Sequence, residues 1–140
     1  MHRANLEKAK SLLVTVGHTL VLCNEQIVIT DKRRGIRPLL DLTEGKLDGC
    51  DFSAADKVVG KAAAYLYCIL QIKCLYARII SQPALDILKR AGVFVEYDEL
   101  VCAIRNRTND GFCPMEQAVW NIDNPESALS AIYDTLSKLS

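Results

Sequence analysis

The sequence predicts an α/β protein of one domain, folded as a three-layer α/β/α sandwich around a mixed sheet. The length of 140 residues suits a single domain. Apolar residues recur at helical spacing in some stretches and form short β-rich runs in others. A strand, a helix and a strand follow one another between residues 74 and 97, which implies a parallel pair joined by a crossover. Two earlier strands are separated by a connection so short that they are expected to form an antiparallel hairpin. The sheet should therefore contain both strand directions.

The first third of the chain reads as a helix, a hairpin and a short helix. Residues 5–16 carry apolar side chains at helical spacing, and Gly17 ends this helix. Residues 19–23 and 26–30 are β-rich, and the two residues between them predict a tight hairpin with Asn24 at a positive φ. A loop with four cations follows, and Pro38 opens a helix that extends to about Glu44.

Residues 54–70 are predicted to form the longest helix. Ser53 is a favourable N-cap residue, and Asp56, three positions later, has the spacing of a capping box. The apolar residues of this stretch form a broad face, which places the helix in the core.

The second half continues with alternating elements and ends in helices. Residues 74–80 are predicted to form a buried strand, residues 83–91 a helix closed by Gly92, and residues 93–97 the next strand. The stretch from Asp98 to Phe112 is polar and irregular. Two helices then begin at Pro114 and at Pro125, the second with Asn124 as its cap.

Charge and hydropathy indicate a cytoplasmic protein without a membrane segment. The 17 Lys and Arg residues balance 17 Asp and Glu residues, which argues against a general nucleic-acid or membrane binder. The charged start of the chain does not resemble an export signal. The most apolar stretch, residues 62–72, is about half the ~20 residues that span a bilayer.

The six cysteines predict reduced, structural thiols rather than a metal site. No two of them form a C-x-x-C pair, and neither histidine joins a tight cluster with them. We therefore expect no zinc site of the usual spacing and no cofactor.

Two groups of basic residues are candidates for binding an anion. Lys57 and Lys61 are four residues apart on the predicted helix 54–70, and Lys57 in its first turn opposes the helix dipole. Arg105 and Arg107 alternate around Asn106, so in an extended chain both could grip one anion. The alternative for each group is a solvated surface, with Lys57 in a salt bridge.

Asp56, Cys113, Glu116 and Ser53 complete the candidate set. Asp56 is either a general base or only the carboxylate of the capping box. Cys113 precedes Pro114, where a helix N-terminus would favour a reactive thiolate, yet Glu116 three residues later also suits a capping box. Ser53 caps the predicted helix beside these residues. The aromatic side chains Tyr65, Tyr67, Tyr76 and Trp120 are expected in the core or in an oligomer contact.

Two segments, residues 52–64 (FSAADKVVGKAAA) and residues 105–116 (RNRT…GFCPME), resemble a small conserved prokaryotic family of unknown function. The resemblance implies a cytidine deaminase-like fold over nearly the whole chain, and no settled activity. Zinc deaminases carry H-A-E or C-A-E at the start of the second helix and P-C-x-x-C after the third strand. The resemblance places these motifs at residues 54–56 and 83–87, where the zinc ligands are absent.

We therefore expect a deaminase-like domain that binds a small anionic, nucleotide-like ligand without zinc-dependent deamination. Lys57, Lys61, Arg105 and Arg107 would supply the positive charge, Asn106 would orient the ligand, and Asp56 would contact a polar edge. One alternative is a metal-independent enzyme that uses Asp56 or Cys113. Another is a structural homo-oligomeric interaction module. Self-association is expected under each of these hypotheses, because the mean hydropathy of +0.10 is high for a small monomer.

Overall fold

The computed structural model describes residues 2–105 and 113–139 and contains a five-stranded sheet with helices on both faces. The strands are β1 Leu20–Cys23, β2 Val28–Asp31, β3 Ser53–Val59, β4 Cys74–Ser81 and β5 Phe94–Val101. The helices are α1 His2–Val16, α2 Arg37–Glu44, α3 Lys61–Leu70, α4 Gln82–Arg90, α5 Pro114–Val119 and α6 Pro125–Leu139, with a 3-10 turn at Gly49–Asp51.

The sheet is mixed, and the predicted three-layer arrangement is confirmed. The strand order is β2-β1-β3-β4-β5, with β1 antiparallel to both neighbours and β3, β4 and β5 parallel. Helix α1 packs on one face, where Leu6, Ala9 and Leu13 meet Val21 and Tyr76. Helices α3 and α4 pack on the other face and build the larger core, which α2, α5 and α6 extend.

The predicted helix 54–70 is wrong in its first half. Residues Ser53–Val59 form strand β3, and α3 begins only at Lys61 with Gly60 as its N-cap. Ser53 therefore caps no helix, and Asp56 is not a capping-box residue. Lys57 and Lys61 do not share a helix face, because they lie on different elements.

Long-range pairing explains why β3 is a strand despite its helix-favouring alanines. It lies in the middle of the sheet, paired with β1 on one side and β4 on the other. Ala54 packs into the larger core and Ala55 against α1, so both faces of the strand are covered. Small side chains let α1 approach the sheet closely, and strand preference is set by such packing rather than by intrinsic propensity.

The hairpin and the last strand differ from the prediction in their limits. Cys23 pairs with Val28, so the connection has four residues and not two. Asn24 shapes this loop with its side chain, whose Oδ1 accepts hydrogen bonds from the amides of Gln26 and Ile27 at 2.8 and 2.7 Å. Its φ is not positive. Strand β5 continues to Val101, through residues predicted to be irregular.

The predicted start of the last helix is confirmed and offers a test of local energetics. Asn124 Oδ1 accepts a hydrogen bond from the Ser127 amide at 2.8 Å, as an N-cap does. We expect Asn124→Ala to lower the free energy of unfolding by about 1 kcal/mol in chemical denaturation. Ser130→Ala, at an exposed position inside the same helix, should have no cost, because alanine is the better helix former. Equal losses in both variants would contradict the capping role.

Candidate functional site

An open cleft of about 460 Å³ lies where the three parallel strands end. Lys61 follows β3 after one residue, Gln82 follows β4 directly, and Cys102 follows β5 directly. The carboxyl ends of parallel strands meet at one edge of the sheet, which is where ligands of α/β proteins commonly bind. The volume falls in the range of small-molecule sites. The cleft is lined by Lys61, Tyr65, Gln82, Pro83, Asp86, Ile87, Arg90, Cys102, Trp120, Ile122 and Asp123.

One wall of the cleft is a polar stripe along α4. Gln82, Asp86 and Arg90 are four residues apart, so they lie on one side of the helix. Gln82 Nε2 donates to Asp86 Oδ1 at 2.9 Å, and Arg90 Nε donates to the Asp86 carbonyl at 3.3 Å. The buried Ile87 supplies apolar surface between them.

A second part of the cleft lining comes from the start of α3 and the connection between α5 and α6. Trp120 is the single tryptophan of the chain, and it is 42% exposed. Lys61 Nζ donates to the Trp120 carbonyl at 2.8 Å, and the Tyr65 hydroxyl donates to the Ile122 carbonyl at 2.7 Å. These two bonds hold the connection against α3.

The charges of the cleft act on one another across it. Burial lowers the pKa of the Lys61 ammonium; the Glu116 carboxylate opposes this, Arg90 reinforces it, and Asp123 opposes it. Burial also raises the pKa of the Tyr65 hydroxyl, with the negative charge of Asp123 acting in the same direction. Cations and carboxylates of the cleft are therefore close enough to interact.

The carboxylate of Glu116 caps the N-terminus of α3, next to Lys61 of the cleft. Its carboxylate accepts hydrogen bonds from the Lys61 amide at 2.6 Å and from the Ala62 amide at 2.9 Å. The residue is 3% exposed, and burial raises the pKa of its carboxyl against the effect of these two bonds and of Lys61. A Cβ on Gly60 would collide with this carboxylate, so the absent side chain makes room for it.

The predicted capping pair of Cys113 and Glu116 is wrong, because Glu116 binds the amides at the start of α3. Cys113 is the N-cap of α5, but it makes no side-chain capping bond, and Glu116 caps a different helix. Glu116 is 55 residues from Lys61 in sequence, so local spacing could not reveal the partner.

Asp56 lies on β3 and bonds to α3 rather than to the cleft. Its Oδ2 accepts a hydrogen bond from the Tyr67 hydroxyl at 2.6 Å, and Tyr67 is fully buried. Burial raises the pKa of Asp56 to about 7, although the bonds from Tyr67 and from the Val58 and Lys57 amides lower it. Burial and the charge of Asp56 hold the pKa of Tyr67 well above its usual value.

The other predicted residues are dispersed. Ser53 is buried at the start of β3, and Lys57 alternates with Asp56 on this strand, so its side chain points to the opposite face. Arg105 is exposed after β5, and Asn106 and Arg107 lie outside the described residues. Of the predicted anion-binding cations in the described part of the chain, only Lys61 lines the cleft.

The structure adds residues that the sequence did not single out. Arg90, Asp86 and Asp123 line the cleft, and so does Trp120, which is exposed and therefore not in the core, one of the two places predicted for it. The four-residue spacing of Gln82, Asp86 and Arg90 places them on one side of α4, and this spacing could have indicated a polar surface there. Tyr65, Tyr67 and Tyr76 are buried, as predicted.

Comparison with known proteins identifies a family without a known activity. A model described as "TM1506: Domain of unknown function (DUF1893)" matches residues 8–136. The chain belongs to the DUF1893 family. Its fold is similar to the crystal structure of a DUF1893 family protein (TM1506) from Thermotoga maritima, with a TM-score of 0.85 and 27% identity over 97% of this chain and 90% of that one. No curated protein matches the chain.

Membership in the DUF1893 family confirms the predicted family of unknown function. In the ranges that the structure describes, no helix is long and apolar enough to cross a membrane. Across the same ranges, no three His, Cys, Asp or Glu side chains lie together as metal ligands would.

Proposed function

We propose that the cleft binds a small anionic, nucleotide-like ligand and that the protein does not carry out zinc-dependent deamination of the usual kind. The observation that carries this proposal is that Lys61, Arg90 and Trp120, which is 42% exposed, line one cleft. The ammonium and guanidinium groups suit a phosphate or carboxylate, and an indole is the kind of side chain on which planar bases stack.

The deaminase-like resemblance supports the proposal through one of the two positions at which it expects site residues. That resemblance expects site residues at the start of the second helix and after the third strand. In this structure those positions are the start of α2 at Arg37 and the start of α3 at Lys61, not residues 54–56 and 83–87. The cleft opens beside the second of them.

The residues at the same two positions support the absence of zinc-dependent deamination of the usual kind. The second helix starts with Arg37, Pro38 and Leu39, and α3 starts with Lys61, Ala62 and Ala63. None of these side chains is a usual zinc ligand in proteins. The backbone N–H groups that begin α3 bind the carboxylate of Glu116.

The emission of Trp120 provides a test, because Trp120 is the single tryptophan of the chain and lines the cleft. We expect CMP or AMP to alter the emission of the purified protein in a saturable titration, with calorimetry giving the same Kd. Arg90→Met should weaken binding about tenfold to a hundredfold, since a hydrogen bond to a charged group contributes roughly 1.5–3 kcal/mol.

Lys89→Met is the matched control for Arg90→Met. It removes a neighbouring exposed cation of α4 that does not line the cleft, so the Kd should change little. Equal weakening by both variants would show a general charge effect rather than a site. If neither CMP nor AMP binds saturably, the proposal is overturned.

A further inference from the structure

We infer that the ligand of this cleft carries a hydrogen-bond-donating amino group as well as its anionic group, and that Asp86 and Asp123 receive the amino group. This inference rests on the proposed function and narrows its ligand class. The juxtaposition that carries it is a pair of cations and a pair of carboxylates lining one cleft, with no ion pair between them in the described part of the chain.

The two cations are held by neutral partners. Lys61 Nζ donates to the Trp120 carbonyl, and Arg90 Nε donates to the backbone carbonyl of Asp86 rather than to its carboxylate. Both carbonyls are weaker partners than a carboxylate would be. Each cation therefore keeps donor capacity for an anion that enters the cleft.

The two carboxylates are also incompletely used. Asp86 receives one hydrogen bond from Gln82 on Oδ1, and Asp123 receives one from Asn124 Nδ2 at 3.3 Å. An ionised carboxylate accepts about four hydrogen bonds, and among the described residues these two receive one each from side chains. Acceptor capacity therefore faces the same space as the donor capacity of Lys61 and Arg90.

A ligand that offered only negative charge would fit this arrangement poorly. Bringing a phosphate to Lys61 and Arg90 also brings it towards Asp86 and Asp123, and like charges in a shared site repel. A donor on the ligand converts that repulsion into a hydrogen bond. Asp86 and Asp123 are exposed, so water pairs their oxygens in the free protein. A bound isostere without the donor would displace that water and leave the carboxylates unpaired, which discriminates against it.

Two pairs of nucleotides differ in the exocyclic amino group at nearly constant size and charge. CMP has an amino group where UMP has an oxo group, and AMP differs from IMP in the same way. UMP and IMP keep one ring N–H next to the oxo group, so each pair compares an exocyclic amino donor with a ring N–H displaced from it. With calorimetry and Trp120 fluorescence, we expect the amino-bearing member of at least one pair to bind wild-type protein at least tenfold more tightly than its oxo partner.

Variants at the carboxylates should remove that preference. In Asp123→Asn or Asp86→Asn the new amide both donates and accepts, so we expect the preference to fall to threefold or less. Asp134→Asn, on the exposed surface of α6 and outside the cleft, is the matched control and should keep the full preference. A preference that survives both cleft variants would overturn the assignment to Asp86 and Asp123.

The outcomes separate this inference from the proposed function. If the members of each pair bind wild-type protein equally and Arg90→Met weakens all of them, the anion site stands and the amino group plays no part. If none of the four nucleotides binds, the proposed function fails together with the inference.

Discussion

Glu116→Ala is expected to lower the free energy of unfolding by about 2 to 3 kcal/mol, a large effect for one residue of a six-residue helix. The substitution leaves the amides of Lys61 and Ala62 without the carboxylate they now bind. Loss of a buried charge returns part of the desolvation cost, which keeps the effect below that of two isolated unpaired donors. Urea denaturation monitored by circular dichroism measures the change.

Glu126→Ala is the matched control for this substitution. Glu126 is an exposed glutamate in the first turn of α6, so its removal should cost no more than about 0.5 kcal/mol. Comparable losses in Glu116→Ala and Glu126→Ala would contradict a specific role for Glu116 at the start of α3.

The effect of Gly60→Ala should depend on Glu116. In the wild-type protein the new methyl group meets the carboxylate, and we expect a loss of about 1–3 kcal/mol. In the Glu116→Ala background the collision is gone, and Gly60 has φ −99° and ψ −175°, which any residue adopts. The same change should then be neutral or stabilising by up to about 1 kcal/mol.

A double-mutant cycle over Gly60 and Glu116 should therefore give a coupling of about 1–4 kcal/mol between them. Additive losses would show that the two residues act independently. They would also show that the carboxylate does not occupy the space that the absent side chain of Gly60 provides.

Asp56→Asn is the second substitution with a large expected effect, and the effect depends on pH. The pKa of Asp56 rises from its ordinary value near 3.8 to about 7 in the folded protein, chiefly through burial. The folded state therefore binds this proton more tightly than the unfolded state. The contribution of Asp56 to stability is largest below about pH 4, falls as the pH rises towards 7, and is constant above that.

The size of the loss follows from the shift. A pKa that rises from 3.8 to about 7 corresponds to roughly 4 kcal/mol in the free energy of unfolding. We expect a loss of about 2–4 kcal/mol between low and high pH, because the residue as a whole is partly exposed. Asparagine cannot ionise, and its oxygen can still accept the hydrogen bond from Tyr67. Asp56→Asn should thus be more stable than wild type above pH 7 and close to it at pH 4.

Unfolding free energies of both proteins from pH 4 to pH 8 test this prediction. Tyr67→Phe provides a second variant, because its hydroxyl bond lowers the pKa of Asp56 and its removal should move the titration to higher pH. Carbon NMR of the Asp56 carboxyl follows that shift directly. Parallel stability curves for wild type and Asp56→Asn would show that Asp56 titrates normally in the folded protein.

The sequence predicted well those elements whose signals are local. The spacing of apolar residues located α1, and Asn124 followed by Pro125 located the start of α6, because a cap needs only its own helix. The succession of β4, α4 and β5 was predicted from short apolar runs and one closing glycine, Gly92, which adopts φ +80°. The mixed sheet followed from that parallel unit beside a hairpin.

The candidate site was predicted only in part, because its residues come from four separate parts of the chain. Lys61 was singled out for a helix position it does not occupy, yet it lines the cleft. Arg90 and Trp120 were not assigned to the site, because nothing near either residue in sequence shows that α4 and the connection before α6 face each other. Glu116 had the spacing of a local cap, and the structure pairs it with a helix 55 residues away.

The sequence by itself determined the class of this protein, an α/β fold with a mixed sheet, because periodicity and caps define most of its elements. Only the tertiary structure decided that residues 53–59 are a strand, since its hydrogen bonds go to β1 and β4 and both its faces are covered by distant residues. Tertiary contacts between residues distant in sequence also formed the cleft with its mixed charges and brought Glu116 to the start of α3. Local free-energy differences of a fraction of a kcal/mol per residue are overridden when a segment becomes the centre of a sheet.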